Sequence, residues 1–65
     1  MRRMRRDYRR AQKAQARAYR AWVRAYRQVM QHPTWENRHA ADLAHARWAV
    51  ESRNLAIMHH VVTSH

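Results

Sequence analysis

The stretch RMRRDYRRAQKAQARAYRAWVRAYR, Arg3 to Arg27, decides the fold. Arg3, Arg6, Arg10, Lys13, Arg17, Arg20, Arg24 and Arg27 follow one another at alternating steps of three and four, which keeps side chains on one stripe of an α-helix. Met4, Tyr8, Ala11, Gln15, Ala18, Trp22, Ala25 and Val29 repeat beside them with the same period and are apolar or small apart from Gln15. One face of a single long helix therefore carries eight cations, and its neighbour is suited to packing. Ala11, Ala14, Ala18, Ala21 and Ala25 leave room for a second helix to approach closely.

Downstream, the pattern breaks at His32-Pro33-Thr34. Proline pushes the residue before it out of the α region, and Thr34 is a favourable N-cap with Glu36 in the turn that follows. Asn37 stands where a capping box would carry Glu, and Trp35 is expected to fold back on the end of the first helix near Val29 or Met30. Helix 1 is expected over about 5–31, the turn over 32–34 and helix 2 over about 35–62. Two helices of matched length joined by a short turn predict an all-α antiparallel helical hairpin forming a single domain, 1–65.

Helix 2 carries two apolar stripes where helix 1 carries one. Leu43, Val50, Ile57 and Val61 make the first; Ala41, Ala44, Trp48, Leu55, Met58 and Val62 make the second, with Arg47, Glu51 and Asn54 between them. A single neighbouring helix covers one stripe. Left in water, the other would expose Trp48, Leu55, Met58 and Val62 as one patch, which monomers seldom tolerate. The expected remedy is assembly, as a homodimeric four-helix bundle or by docking on a larger partner. Leu43, Trp48, Val50, Leu55, Ile57, Met58 and Val62 are the candidate assembly residues. Arg47 and Glu51, four apart, are expected to pair at the seam and fix its register.

Composition agrees with this plan. The 65 residues contain no Gly, no Cys and a single Pro, so disulfides and Cys-held zinc are excluded and a small core must be supplemented by assembly. There is no run of 18 or more apolar residues to span a membrane. The arginine-rich, acid-poor start has the character of a transit peptide, but the helical pattern continues without interruption to the turn.

Charge points to the partner. Fourteen Lys and Arg face four Asp and Glu, a formal net charge of +10 at pH 7, and a surface of this kind draws polyanions. All but Lys13 of those fourteen cations are arginine, whose planar fork suits phosphate. A GC-rich genome also raises Arg over Lys, but codon usage does not produce the spacing.

The remaining residues support no competing chemistry. His39, Asp42 and His45 stand three apart and His59, His60 and His65 crowd the C-terminus, but the i, i+4 histidine pair of helical zinc sites does not occur, so no metal or other cofactor is expected. Protonation of these histidines at mildly acidic pH would add to the positive charge and strengthen anion binding. Tyr8, Tyr19, Trp22 and Tyr26 follow the packing period and are expected at the core or its edge, with Tyr8 the best placed to meet a base. Two helices with four scattered carboxylates supply no nucleophile beside a base, so neither an enzyme nor a small-molecule substrate is expected.

The arrangement resembles, in architecture, the small helical-hairpin dimers that bind nucleic acid through a helix face. It lacks the asparagine followed eight residues later by arginine that marks basic-zipper readers, so that resemblance implies grip on the backbone without base reading. The expected protein is a small basic accessory protein of a bacterium or its phage. It would be cytoplasmic and associated with nucleoid or ribonucleoprotein, gripping RNA or DNA phosphates through Arg3, Arg6, Arg10, Lys13, Arg17, Arg20, Arg24 and Arg27. The alternative is a protein-binding module, an inhibitor or structural subunit that docks its cationic helix and its second apolar stripe on a larger partner. A membrane-surface helix is a third, weaker reading, since its apolar face is small and alanine-rich.

Overall fold

The computed structural model describes residues 2–64 of the chain, with side chains described for 5–64. Two helices, α1 (Arg2–Gln31) and α2 (Trp35–Thr63), pack against each other as an antiparallel hairpin. The Cα atoms fill a slab of 47 × 13 × 12 Å, the length of one helix and little wider than two. Both helices run close to their expected spans, though α1 begins at Arg2, so Asp7 lies beyond its first turn and is not placed to complement the helix dipole.

The break between the helices is tightly bonded. His32 N–H donates to Gln28 C=O at 2.8 Å and closes the last turn of α1, and Thr34 N–H donates to His32 C=O at 2.8 Å. Thr34 is extended (φ −85°, ψ 160°) and its Oγ1 accepts from Asn37 N–H at 3.2 Å, the N-cap bond of α2. The Asn37 side-chain amide reaches back to His32 C=O at 2.8 Å. Asn37 thus ties the start of α2 to the end of α1, a role that Glu could not fill because a carboxylate has no proton to donate. Trp35 does not fold back toward Val29 or Met30. It is 72% exposed and lies 6.4 Å from the His39 ring, one turn along its own helix.

The packing stripe of α1 is the expected one: Ala18 is buried, Tyr8, Ala11, Gln15, Trp22, Ala25 and Val29 are part-buried, and Met4 lies outside the described side chains. On α2 the outcome is reversed. Trp48, Leu55, Met58 and Val62, the patch expected to need cover by assembly, are part-buried in the hairpin beside part-buried Ala44 and buried Ala41, whereas Leu43, Val50 and Ile57 are exposed. The aromatic pairing explains the choice. Trp22 stacks on Trp48 with centroids 5.1 Å apart, and Tyr19 and His45 close around the pair at 5.7 Å from Trp48 and 5.2 Å from Trp22. Burying two indoles together removes more apolar area from water than the Leu43 stripe offers opposite the same Trp22.

Register is constant along the rod. Tyr8 Oη lies 3.1 Å from His59 Nδ1, Gln15 Nε2 donates to Ser52 Oγ at 3.4 Å, and Trp22 meets His45. These three pairs advance by seven residues in one helix and retreat by seven in the other. The helices therefore keep the same faces together over two heptads, as left-handed helical pairs do.

Candidate functional site

The charge of the molecule is sorted between its helices. α1 holds ten Arg and Lys13 against Asp7, a net +10; α2 holds Arg38, Arg47 and Arg53 against Glu36, Asp42 and Glu51, a net zero. The entire formal excess thus belongs to one helix of a thin slab, and the second helix contributes none of it.

On α1 the cations form a continuous outer surface. Arg6, Arg10, Lys13, Arg17, Arg20, Arg24 and Arg27 are all exposed; Arg3, the first rung, lies outside the described side chains. The rungs alternate between two columns. Arg10, Arg17 and Arg24 form one column and Arg6, Lys13, Arg20 and Arg27 the other. Within a column, successive rungs stand about 10.5 Å apart along the axis, seven residues at 1.5 Å each.

The structure adds three cations to the expected ladder. Arg5 and Arg9 join Arg6, Arg10 and Lys13 around one open concavity near the start of α1. Their four-residue spacing in the sequence makes them neighbours one turn apart on the helix. Arg47 of α2 lines a groove with Arg17, Arg20, Arg24, Ala14, Ala18, Ala21 and Glu51. Nothing in the sequence period joins Arg47 to the ladder; the register of the two helices does. The alanines let the guanidinium groups of both helices border one trough, with part-buried Glu51 at its edge.

The candidate assembly residues divide into two groups. Trp48, Leu55, Met58 and Val62 belong to the hairpin interior, and Leu43, Val50 and Ile57 form an outward line. Leu43 and Val50 border a shallow apolar groove with Ala21, Ala44, Ala46, Arg47 and Glu51, so the outward line and the cationic trough lie on adjoining parts of one flank. The opposite flank is aromatic, with Trp22, Tyr26, Val29, Arg38, Ala41, Asp42 and His45 around a third groove. Tyr19 and Tyr26 are 46% and 52% exposed at this edge.

The chemistry on display is a surface of exposed cations. Among the described residues no three His, Asp or Glu side chains stand close enough to share a metal ion, and no helix is long and apolar enough to cross a membrane. Comparison with family models, with curated proteins and with solved structures finds no match to this chain.

Proposed function

We propose that this protein is a small nucleic-acid-binding accessory protein that grips the phosphate backbone through the outer face of α1. The observation that carries the reading is the segregation of charge: a net +10 on α1, whose described cations are exposed, beside an α2 of net zero. A face that served solubility alone would have no need of arginine at heptad spacing, nor of a helix without an acid between Asp7 and Gln31. Duplex nucleic acid presents one charge per about 1.7 Å of axis, so a cationic face about 40 Å long meets several phosphates at once. Shape and charge set the affinity, and base identity contributes little.

The test is a salt titration of binding to mixed duplex DNA and structured RNA, run beside the triple change Arg10→Glu, Arg17→Glu and Arg24→Glu. Six phosphate contacts give a slope of log affinity against log salt of about −5. No affinity at about 50 mM salt, or an affinity that the triple change leaves untouched, refutes the reading.

A protein-binding module is the second reading, favoured by the exposure of Leu43, Val50 and Ile57 on α2. In that case α2 makes the contact and α1 supplies complementarity to an acidic face. Failure to bind nucleic acid, together with capture of a polypeptide that the same triple change releases, would select it.

A further inference from the structure

α2 turns an apolar line away from α1 that nothing in the hairpin covers. Leu43, Val50 and Ile57 are 60%, 57% and 53% exposed at steps of seven, and the alanines around them, Ala46, Ala49 and Ala56, are exposed as well. The hairpin meanwhile buries little: Ala18 and Ala41 are its buried apolar residues, and no large side chain among those described is fully buried. A chain of 65 residues with that interior lacks the apolar burial that a stable fold needs.

We propose that this line is the docking surface for a second copy of the chain, with the two α2 helices antiparallel about a two-fold axis at Val50. Symmetry comes first. In such a pair each residue lies level with the one equally far beyond Val50 on the other helix, so Leu43 meets Ile57 of the second copy and Val50 meets its own equivalent. Three apolar layers form from one self-complementary patch, as an isologous interface requires.

Charge selects the same face and the same orientation. Two chains of net +10 repel everywhere except across α2, whose charges cancel. Arg47 and Glu51 border the groove with Ala21 on one flank, and Asn54 follows Arg47 by seven residues on the same stripe of the helix. A two-fold axis perpendicular to antiparallel helices returns that flank to the same side, which sets Arg47 of one copy between Glu51 and Asn54 of the other. The crowded cations Arg5, Arg6, Arg9, Arg10 and Lys13 sit at the end of the rod where Tyr8 meets His59. Antiparallel docking sends the two clusters to opposite ends of an object 47 Å long, whereas parallel docking would gather them at one end.

The docking has a consequence for the cationic trough. Arg17, Arg24 and Arg47 share a groove on the flank that the two-fold axis repeats, so both copies present their ladders on one face of a four-helix layer. Three interaxial steps of about 8–10 Å put the two α1 axes roughly 24–30 Å apart. That the two ladders hold one polyanion between them rests on the function proposed above; the pairing itself does not.

Single cysteines decide the matter in the absence of nucleic acid, because the chain has none of its own. Wild-type protein is expected to sediment at twice the 8.0 kDa of the chain. Val50→Cys is expected to oxidise to a linked dimer. Leu43→Cys and Ile57→Cys are each expected to stay unlinked alone and to link when mixed, since equivalent Leu43 positions lie about 21 Å apart along antiparallel helices, beyond disulfide reach. Val50→Arg should abolish the dimer and, because the lone hairpin buries so little, lower the helical circular dichroism as well; the cysteine pattern then separates a lost interface from a general loss of fold. A folded wild-type monomer at about 100 μM, an unlinked Val50→Cys, or Leu43→Cys linking to itself in preference to Ile57→Cys would each overturn the proposal. Nucleic-acid binding by such a monomer would leave the proposed function standing.

Discussion

Trp22 of α1 and Trp48 of α2 lie face to face, ring centroids 5.1 Å apart and planes 7° from parallel. This stack joins two large apolar side chains across the hairpin, and it has one defect: Trp48 Nε1 is buried with no acceptor. The N–H is the group in this contact that works against the fold.

Two substitutions remove that donor and differ in whether a ring stays. Trp48→Ala should cost about 2–3 kcal/mol, below the usual range for a buried aromatic because the ring is only part-buried. Trp48→Phe keeps a ring in the stack and removes the orphan donor, so its cost should stay under about 1.5 kcal/mol. Urea unfolding followed by far-ultraviolet circular dichroism measures both; equal losses would show that a ring at this position contributes nothing to stability.

The turn offers a second test. Thr34→Ala removes the acceptor for Asn37 N–H and should cost about 1 kcal/mol. Asn37→Ala loses the bond to His32 C=O and should cost about 0.5 kcal/mol, because the carbonyl is exposed and water replaces the donor. Thermal melts of both variants should show the larger shift for Thr34→Ala.

Close approach of the helices depends on Ala18, 5% exposed and level with the Trp48 region. Ala18→Leu should destabilise by about 1–3 kcal/mol through overpacking, while the same change at exposed Ala40 should stay within about 0.5 kcal/mol. Denaturant midpoints compare the two directly.

For the ladder, one-residue neutralisations report which cations meet phosphate. Lys13→Gln and Arg20→Gln should each flatten the salt slope by about 0.9, and Arg47→Gln should do the same from the other helix. Arg38→Gln, on the aromatic flank, should leave the slope unchanged. If Arg38 and Arg47 behave alike, the trough shared by the two helices is not the binding surface.

Period and turn chemistry were enough to read the two helices, their break at Pro33 and the stripe from Tyr8 to Val29 in the chain itself. They could not choose between the stripes of α2. Leu43, Val50 and Ile57 have the same heptad spacing as Trp48, Leu55 and Val62, and periodicity assigns residues to faces without saying which face turns inward. That choice depends on what lies opposite, and the length of the turn sets Trp22 against the Trp48 side. Arg47 was hidden for the same reason, being one α2 arginine among three until the register placed it beside Arg17 and Arg24. Trp35 was misplaced because the bond from Asn37 to His32 fixes the corner and turns the indole outward along α2.

The segregation of charge also governs how the molecule arrives. A slab about 13 Å thick with its whole excess on one long edge experiences a torque in the field of a polyanion, as well as an attraction. It should turn before it touches, with α1 leading and its axis swinging toward the strand, so that few encounters are wasted on the neutral edge. Salt that shortens the field to about 8 Å would then slow productive arrival before it loosens the bound state.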